Sequence, residues 1–372
     1  MSTTVPATTP TPSIPSLLGR RGLILLAIAI AGAVLTFVLR TTGASDVAIF
    51  GVAAVTLAGL AALVGEGTDQ LGHRFGPTTT GILQSALGNL PELFISLFAL
   101  REGLVVLVQT ALIGSILGNS LLVLGLAFLA GGLKNGRQVF AAGPVRTISV
   151  ILLLAVAALA IPTIATSPGG FDEGHAVEFS AFVSIVLLVI FAASIPYSLG
   201  GGKGASAELP PNEHPWPLRL SLGLLAGSAI GAAVISDWFV EALRPAMATL
   251  GVSEAFVGLV VVAIAGNAVE NMAGVQAAIR NRTDLAISLI QNSSLQVAIA
   301  LTPILVLASL FISPVPMTLV LAPTLLVAVA LAAILGALIV FDGESTWLEG
   351  LMLLGLYLII AASVWYGPRV TI

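Results

Sequence analysis

About eleven apolar runs, each of a length to cross a bilayer, follow one another along this chain with short polar breaks between them. A hydrocarbon core about 30 Å thick takes roughly 20 apolar residues as a helix, and little else can be made of runs this long. They fall at 22–40, 47–65, 79–100, 104–130, 146–165, 176–197, 218–240, 254–279, 284–311, 315–340 and 347–366. Hydrophobic residues make up 57% of the chain and charged ones 9%, where an ordinary globular domain carries about 25% charged residues. The expectation is an all-α polytopic membrane protein of about eleven transmembrane helices.

The segments between the runs divide the chain. Residues 1–18, rich in Thr, Pro and Ser, read as a disordered tail. Arg20 and Arg21 then lead into the first run, within 19–45, which spans a bilayer and ends without a clear small-residue cleavage site. It therefore reads as a leading transmembrane helix and not as a signal. The most polar connection, 200–217, holds Lys203, Glu208, Glu213, His214 and four prolines, and reads as a central linker between 46–199 and 218–372. The net charge of −4, thinly spread, implies no nucleic-acid partner, and the absence of cysteine excludes disulfides, thiolate metal sites and a Cys nucleophile.

Basic residues set an orientation. On the N-terminal side of this arrangement lie Arg20, Arg21, Arg74, Lys134, Arg137, Arg146, Lys203, Arg219, Arg280 and Arg282; opposite lie Arg40, Arg101, Arg244 and Arg369. The N-terminus and linker are therefore expected in the cytoplasm and the C-terminus outside.

Two of the runs carry the same motif. Gly88-Asn89-Leu90-Pro91-Glu92 lies in the third and Gly266-Asn267-Ala268-Val269-Glu270 in the eighth. A carboxylate at bilayer depth costs about 2.5–3.5 kcal/mol on insertion scales, so each Glu is a candidate functional residue. The third span runs outward and the eighth inward, which makes the motif helices antiparallel, as an inverted repeat of two five-helix units after one leading helix requires. The register has no gap: 92 + 178 = 270, and 115 + 178 = 293, so Gly114-Ser115-Ile116-Leu117-Gly118-Asn119 matches Asn292-Ser293-Ser294-Leu295-Gln296-Val297. Asn89 and Glu92, like Asn267 and Glu270, are three apart and share a helix face.

The chemistry follows from the donor types. Gly88 and Gly266 loosen the helix ahead of each Glu, and Pro91 removes a backbone donor; freed carbonyls in a membrane are tolerated where a cation re-satisfies them. Carboxylates, side-chain amides, hydroxyls and carbonyls are all hard oxygen donors, suited to Ca²⁺ with its six to eight oxygens at about 2.3–2.6 Å. Softer metals would want His or Cys, and no His lies in a predicted span. Two carboxylates match one divalent ion; without it they do not both stay ionised side by side in a dry site, and they take up protons. One pair would thus carry Ca²⁺ or protons in turn, with no resident cofactor.

Other polar residues have plainer readings. Gln109, Thr110 and Ser120 read as interhelical contacts. Glu66, Asp69, Asp237, Glu241 and Glu254, near span ends, read as solvated interface charges, with the drawing of cations towards a vestibule as the lesser alternative. Asp172, Glu173 and His175 form an exposed loop cluster.

The stretches GNLPELFISLFALREG and GSILGNSLLVLGLAFLAGG in the first half, and AIAGNAVENMAGVQAAIRNRTDLAISLIQNSSLQVAIALTPILVL in the second, resemble the two repeats of the calcium/proton antiporters of the cation/calcium exchanger superfamily. The resemblance implies alternating access, with Ca²⁺ exported against protons across a prokaryotic inner membrane. It implies that Glu92 and Glu270 bind both ion and proton, and that Gly88, Asn89, Gly266, Asn267, Ser115, Ser293 and Gln296 complete the site. The chain departs from the family's common pattern at Asn271, where His is usual, and at Asn292, where Gly is usual. Leu90-Pro91-Glu92-Leu93 also resembles the sodium/calcium exchanger branch. A Na⁺-coupled or monovalent cation exchanger on the same scaffold is the nearest alternative, a cation channel a further one, and assembly into a homo-oligomer is left open. An enzyme is disfavoured, since neither HExxH nor GxSxG occurs and all three histidines lie in loops.

Overall fold

The computed structural model describes residues 14–75, 87–201 and 216–366. In chain order its helices are α1 (Ile14–Thr41), α2 (Asp46–Phe75), α3 (Leu90–Arg101), α4 (Val105–Leu117), α5 (Leu124–Asn135), α6 (Ala142–Ala165), α7 (Ala176–Gly201) and α8 (Leu218–Leu250). There follow α9 (Glu254–Phe256), α10 (Ala263–Gly266), α11 (Ala268–Ile279), α12 (Thr283–Gln296), α13 (Thr302–Ile312), α14 (Pro323–Ile339) and α15 (Trp347–Tyr366). Three π-helical segments, Gly118–Val123, Val257–Val262 and Val297–Leu301, join α4 to α5, α9 to α10 and α12 to α13 without a break.

Among the described residues, eight helical runs are long and apolar enough to cross a membrane, and nine if the pair Glu254–Gly266 and Asn271–Ile279, bent by 62°, counts as one. Eleven were expected. The predicted third span and central linker lie partly outside the described residues. The first helix already begins at Ile14, inside the stretch read as tail.

The tenth run differs for a stated reason. It was expected as one helix over 315–340, but the helix begins only at Pro323, after a non-helical stretch that carries Pro314 and Pro316. Buried extended backbone needs partners, and side chains of other helices supply them. Gln109 Nε2 donates to Thr318 O (2.8 Å) and Val320 O (3.2 Å), while Leu319 N donates to Ser180 Oγ and Leu321 N to Thr163 Oγ1, each at 2.9 Å. Met317, Leu319 and Leu321 are buried as a result.

Contacts sort the connections onto two faces. On the first, β1 (Gln138–Val139) pairs antiparallel with β2 (Glu344–Ser345), Gln138 Nε2 donates to Ala278 O and Asn281 Oδ1 (2.9 Å each), and Ala141 N donates to Asp284 Oδ1 (2.6 Å). On the second, Arg40 pairs with Glu241 (2.5 Å), Arg244 donates to Glu102 O (2.9 Å), and the 315–321 stretch packs between helices. The run α4–α5 therefore leads from the second face to the first, and α12–α13 the opposite way. Helix α3 ends at the second face and α11 at the first, so the motif helices are antiparallel.

The internal repeat is visible in element boundaries. Adding 178 carries Leu90–Arg101 onto Ala268–Ile279, Val105 onto Thr283, and Leu124 onto Thr302, which are the matching helix starts and ends of the second half. The π segments at 118–123 and 297–301 fall into the same register within one residue.

Candidate cation site

The site begins with two broken helices. Asn89 precedes α3 with φ −92 and ψ 16, and Asn267 separates α10 from α11 with φ −97 and ψ 13. Gly, Asn and, in the first copy, Pro give the same break in both halves. Pro91 falls in the first turn of α3, where a backbone donor has no intrahelical partner in any case. The reading that Pro91 frees a carbonyl is therefore corrected: it fits the helix start and breaks no ladder.

Glu92, in the first turn of α3, is 4% exposed. Its Oε1 accepts from Ser115 Oγ of α4 at 2.6 Å and from Asn267 Nδ2 at 2.5 Å. Asn267 Nδ2 also lies 3.0 Å from Ser115 Oγ and from Ala263 O. Its carbonyl Oδ1 accepts from Ser293 Oγ of α12 (3.3 Å) and from Asn119 Nδ2 (3.4 Å), and Asn119 Nδ2 in turn donates to Ser293 Oγ (3.0 Å). Behind this ring Ser120 Oγ and Ser294 Oγ stand 3.3 Å apart. A carboxylate, two amides and several hydroxyls from both halves thus form one buried network, in which Asn119 Oδ1 is left without a hydrogen-bond partner among the described residues.

Gly266 has a more specific role than loosening a helix. A Cβ placed there would lie 2.7 Å from Glu92 Oε1 and 2.9 Å from its Cδ, so only glycine lets this carboxylate sit against α10.

Of the residues picked from sequence, Glu92, Ser115, Asn267, Ser293 and Gly266 meet directly. Asn89 is half-buried and its side chain does not cap α3; Gly88 lies in the turn before it. Gln296 closes α12 one turn beyond Ser293 and is half-buried. Glu270 lies on α11, three residues past Asn267, and its side chain is outside the described residues. Asn119 and Ser294 were not picked. Asn119 stands one turn after Ser115, but its counterpart at +178 is Val297, so a search for matched polar pairs passes over it. Ser120 does meet the other half at Ser294, whereas Gln109 bonds carbonyls of the non-helical stretch before α14 and Thr110 bonds carbonyls of its own helix. Among the described residues no group of three or more His, Cys, Asp or Glu is placed to hold a metal.

Known proteins resemble this chain in sequence and fold. The family model described as sodium/calcium exchanger protein matches residues 45–200 and 220–366. The Ca²⁺/H⁺ antiporter ChaA of Bacillus subtilis is 36% identical over 320 residues, 84% of this chain and 90% of that one. A Ca²⁺/H⁺ antiporter of Synechocystis is 34% identical over 354 residues, 90% and 95% of the two chains. The solved structure of native YfkE superposes with a TM-score of 0.79 at 33% identity, covering 92% of this chain and 99% of that one. With both halves matched and the fold shared over 92% of its length, the chain belongs to the sodium/calcium exchanger protein family.

Proposed function

We propose that this protein is a secondary transporter that exchanges Ca²⁺ for H⁺ by alternating access. The observation that carries the reading is Glu92: a carboxylate buried between two antiparallel broken helices and clasped by oxygen-bearing side chains of both halves. The likeness to antiporters of that activity at 34–36% identity supports it.

In this reading Glu92 and Glu270 carry the charge of the cargo. Ser115, Asn267, Ser293 and Asn119 donate hydrogen bonds in the described form, and each also owns an oxygen. A half-turn of the Asn267 amide would set Oδ1 in place of Nδ2 beside Glu92, exchanging a donor that holds a bare carboxylate for a ligand of a shared cation. Gly266 keeps the carboxylate close, while Asn89, Gly88 and Gln296 complete the site when the second motif takes its turn. With Ca²⁺ released, protons neutralise the carboxylates and allow the return step. The first face carries Arg20, Lys134, Arg137, Arg146, Arg219, Arg280 and Arg282 against Arg40, Arg101 and Arg244 on the second, so we assign the first face and the N-terminus to the cytoplasm of a prokaryotic inner membrane.

The test is radiolabelled Ca²⁺ uptake by reconstituted protein under a pH gradient and, separately, a Na⁺ gradient, with Glu92→Gln and Glu270→Gln beside the parent. Uptake under the pH gradient alone, lost in both variants, is expected. Uptake that ignores both gradients would exclude exchange, and uptake under Na⁺ alone would replace the proton as coupling ion. Normal transport by either variant would remove that Glu from the site.

A further inference from the structure

The outward side of α6 ends on a cation. Along this helix Val150, Leu154, Ala157, Ile161 and Ile164 are exposed at spacings of three or four residues, one continuous apolar stripe. One turn before it comes Arg146, also exposed. From Arg146 to Ile164 the helix climbs 164 − 146 = 18 residues. That is about 27 Å at 1.5 Å per residue, close to the roughly 30 Å of a hydrocarbon core. The stripe therefore fills the depth of the bilayer, and Arg146 stands at its edge on the first face, level with the lipid phosphates.

Helix α14 packs against α6 and adds exposed Ile334 and Leu338, which lead to Phe341 at 58% exposure. The two surfaces meet at Arg146. Its Nε donates to Phe341 O at 3.0 Å and its Nη2 donates to the same oxygen, while the guanidinium carbon lies 4.0 Å from the centre of the Phe341 ring. A long side chain is thus held at one edge by a carbonyl and on one face by a ring. The Nη1 donors and the second N–H of Nη2 have no partner among the described residues. No carboxylate pairs with Arg146 there either. Glu344 is taken by Arg137, Asp342 Oδ1 accepts from Glu344 N, and the first turn of α6 has no acidic residue.

We propose that Arg146 binds the headgroup of an anionic phospholipid in the leaflet at the first face. The free guanidinium N–H groups take the phosphate oxygens, and an acyl chain lies over Val150 and Leu154 beside Leu338. A zwitterionic lipid has the same phosphate but brings its own cation, so it gains less from an unpaired arginine on a face that also carries Lys134, Arg280 and Arg282. The site lies on the outer side of α6, which supplies no residue to the Glu92 network, and it stands whatever the cargo is.

The test follows the thermal unfolding midpoint of the full chain in neutral detergent as phosphatidylglycerol, phosphatidylcholine or inorganic phosphate is added. The parent should be stabilised by phosphatidylglycerol at lower concentration than by phosphatidylcholine, and not by phosphate at matched ionic strength. Arg146→Ala should raise the half-saturating phosphatidylglycerol concentration roughly tenfold and bring the two lipids level. Arg146→Gln, which keeps a donor for Phe341 O, should behave the same way and covers the case in which the alanine variant does not fold. Lys134→Ala should leave the preference intact. Equal response of the parent to both lipids, parental preference in either Arg146 variant, or equal stabilisation by inorganic phosphate would each overturn the site. So would a loss in Lys134→Ala as large as that in Arg146→Ala, since the lipid would then be reading a diffuse basic surface.

Discussion

Asn89 and Asn267 occupy the same register position in the two repeats and have nearly the same backbone, φ −92, ψ 16 against φ −97, ψ 13. Their side chains lead different lives. Asn267 is 2% exposed and joins Glu92, Ser115, Ser293 and Asn119 in one network, while Asn89 is half-buried and does not cap the helix it starts. The duplicated sequence therefore repeats the chain path more faithfully than the chemistry. In the described form Asn267 of the second motif holds the carboxylate of the first.

The largest effect should separate these two residues. Asn267→Ala leaves Glu92 and Ser115 short of a donor, and Asn119 and Ser293 short of an acceptor. Unmatched buried groups cost about 1–3 kcal/mol each, and 1.4 kcal/mol is tenfold in affinity, so apparent Ca²⁺ affinity should fall by at least about tenfold. Asn89→Ala should cost less. Uptake measured over a Ca²⁺ series decides, and an equal or greater loss at Asn89 would break the asymmetry.

A second pair tests how tightly α4 and α12 are packed at matched positions. Gly114→Ala drives a methyl into the backbone of Leu259, which cannot turn aside as a side chain would. Overpacking of that kind costs about 1–3 kcal/mol, to be read as a lower thermal unfolding midpoint in detergent. Asn292→Ala, at the matching position, should stay within about 0.5 kcal/mol of the parent. A shift of similar size in both would mean that α12 is packed as tightly as α4.

Gly266→Ala should act on transport more than on stability. Here the obstacle is the Glu92 side chain, which can move, so the fold survives while the carboxylate leaves its position against α10. Misplacement worth about 1 kcal/mol is roughly fivefold in affinity. Unchanged uptake would show that the close approach of Gly266 to Glu92 has no part in the site.

How far the sequence could be read depends on whether a residue has a mate. Glu92, Ser115, Asn267 and Ser293 were legible because their types recur at +178 inside apolar runs, where a polar residue needs a reason. Asn119 faces Val297 in that register and was passed over, although it bonds both Asn267 and Ser293. The 315–322 stretch was read as helix because its residues are apolar. Hydropathy cannot tell a helix from an extended segment whose backbone is satisfied by Gln109, Thr163 and Ser180 from three other helices. The π segments carry no composition of their own, since they differ from α-helix by one shifted hydrogen bond.

The smallest effect belongs to α1, which lies outside both repeats. Arg40 pairs with Glu241 of α8 at 2.5 Å and sits 5.4 Å from the Trp238 ring centre, with side chains 39% and 61% exposed in the ion pair. An exposed pair is worth about 0–1 kcal/mol, and stacking on the ring adds about 0.5–1 kcal/mol. Arg40→Ala should lower the unfolding midpoint slightly and leave Ca²⁺ affinity unchanged, because Glu92, Ser115, Asn267, Ser293 and Asn119 bond one another from other helices. A double-mutant cycle with Glu241→Ala isolates the pair and should return a coupling below about 1 kcal/mol. If Arg40→Ala instead weakens Ca²⁺ affinity as Asn267→Ala does, the leading helix is coupled to the carboxylate. The contrast between the halves would then have to include α1, whose contact with α8 would be setting how the second half meets the first.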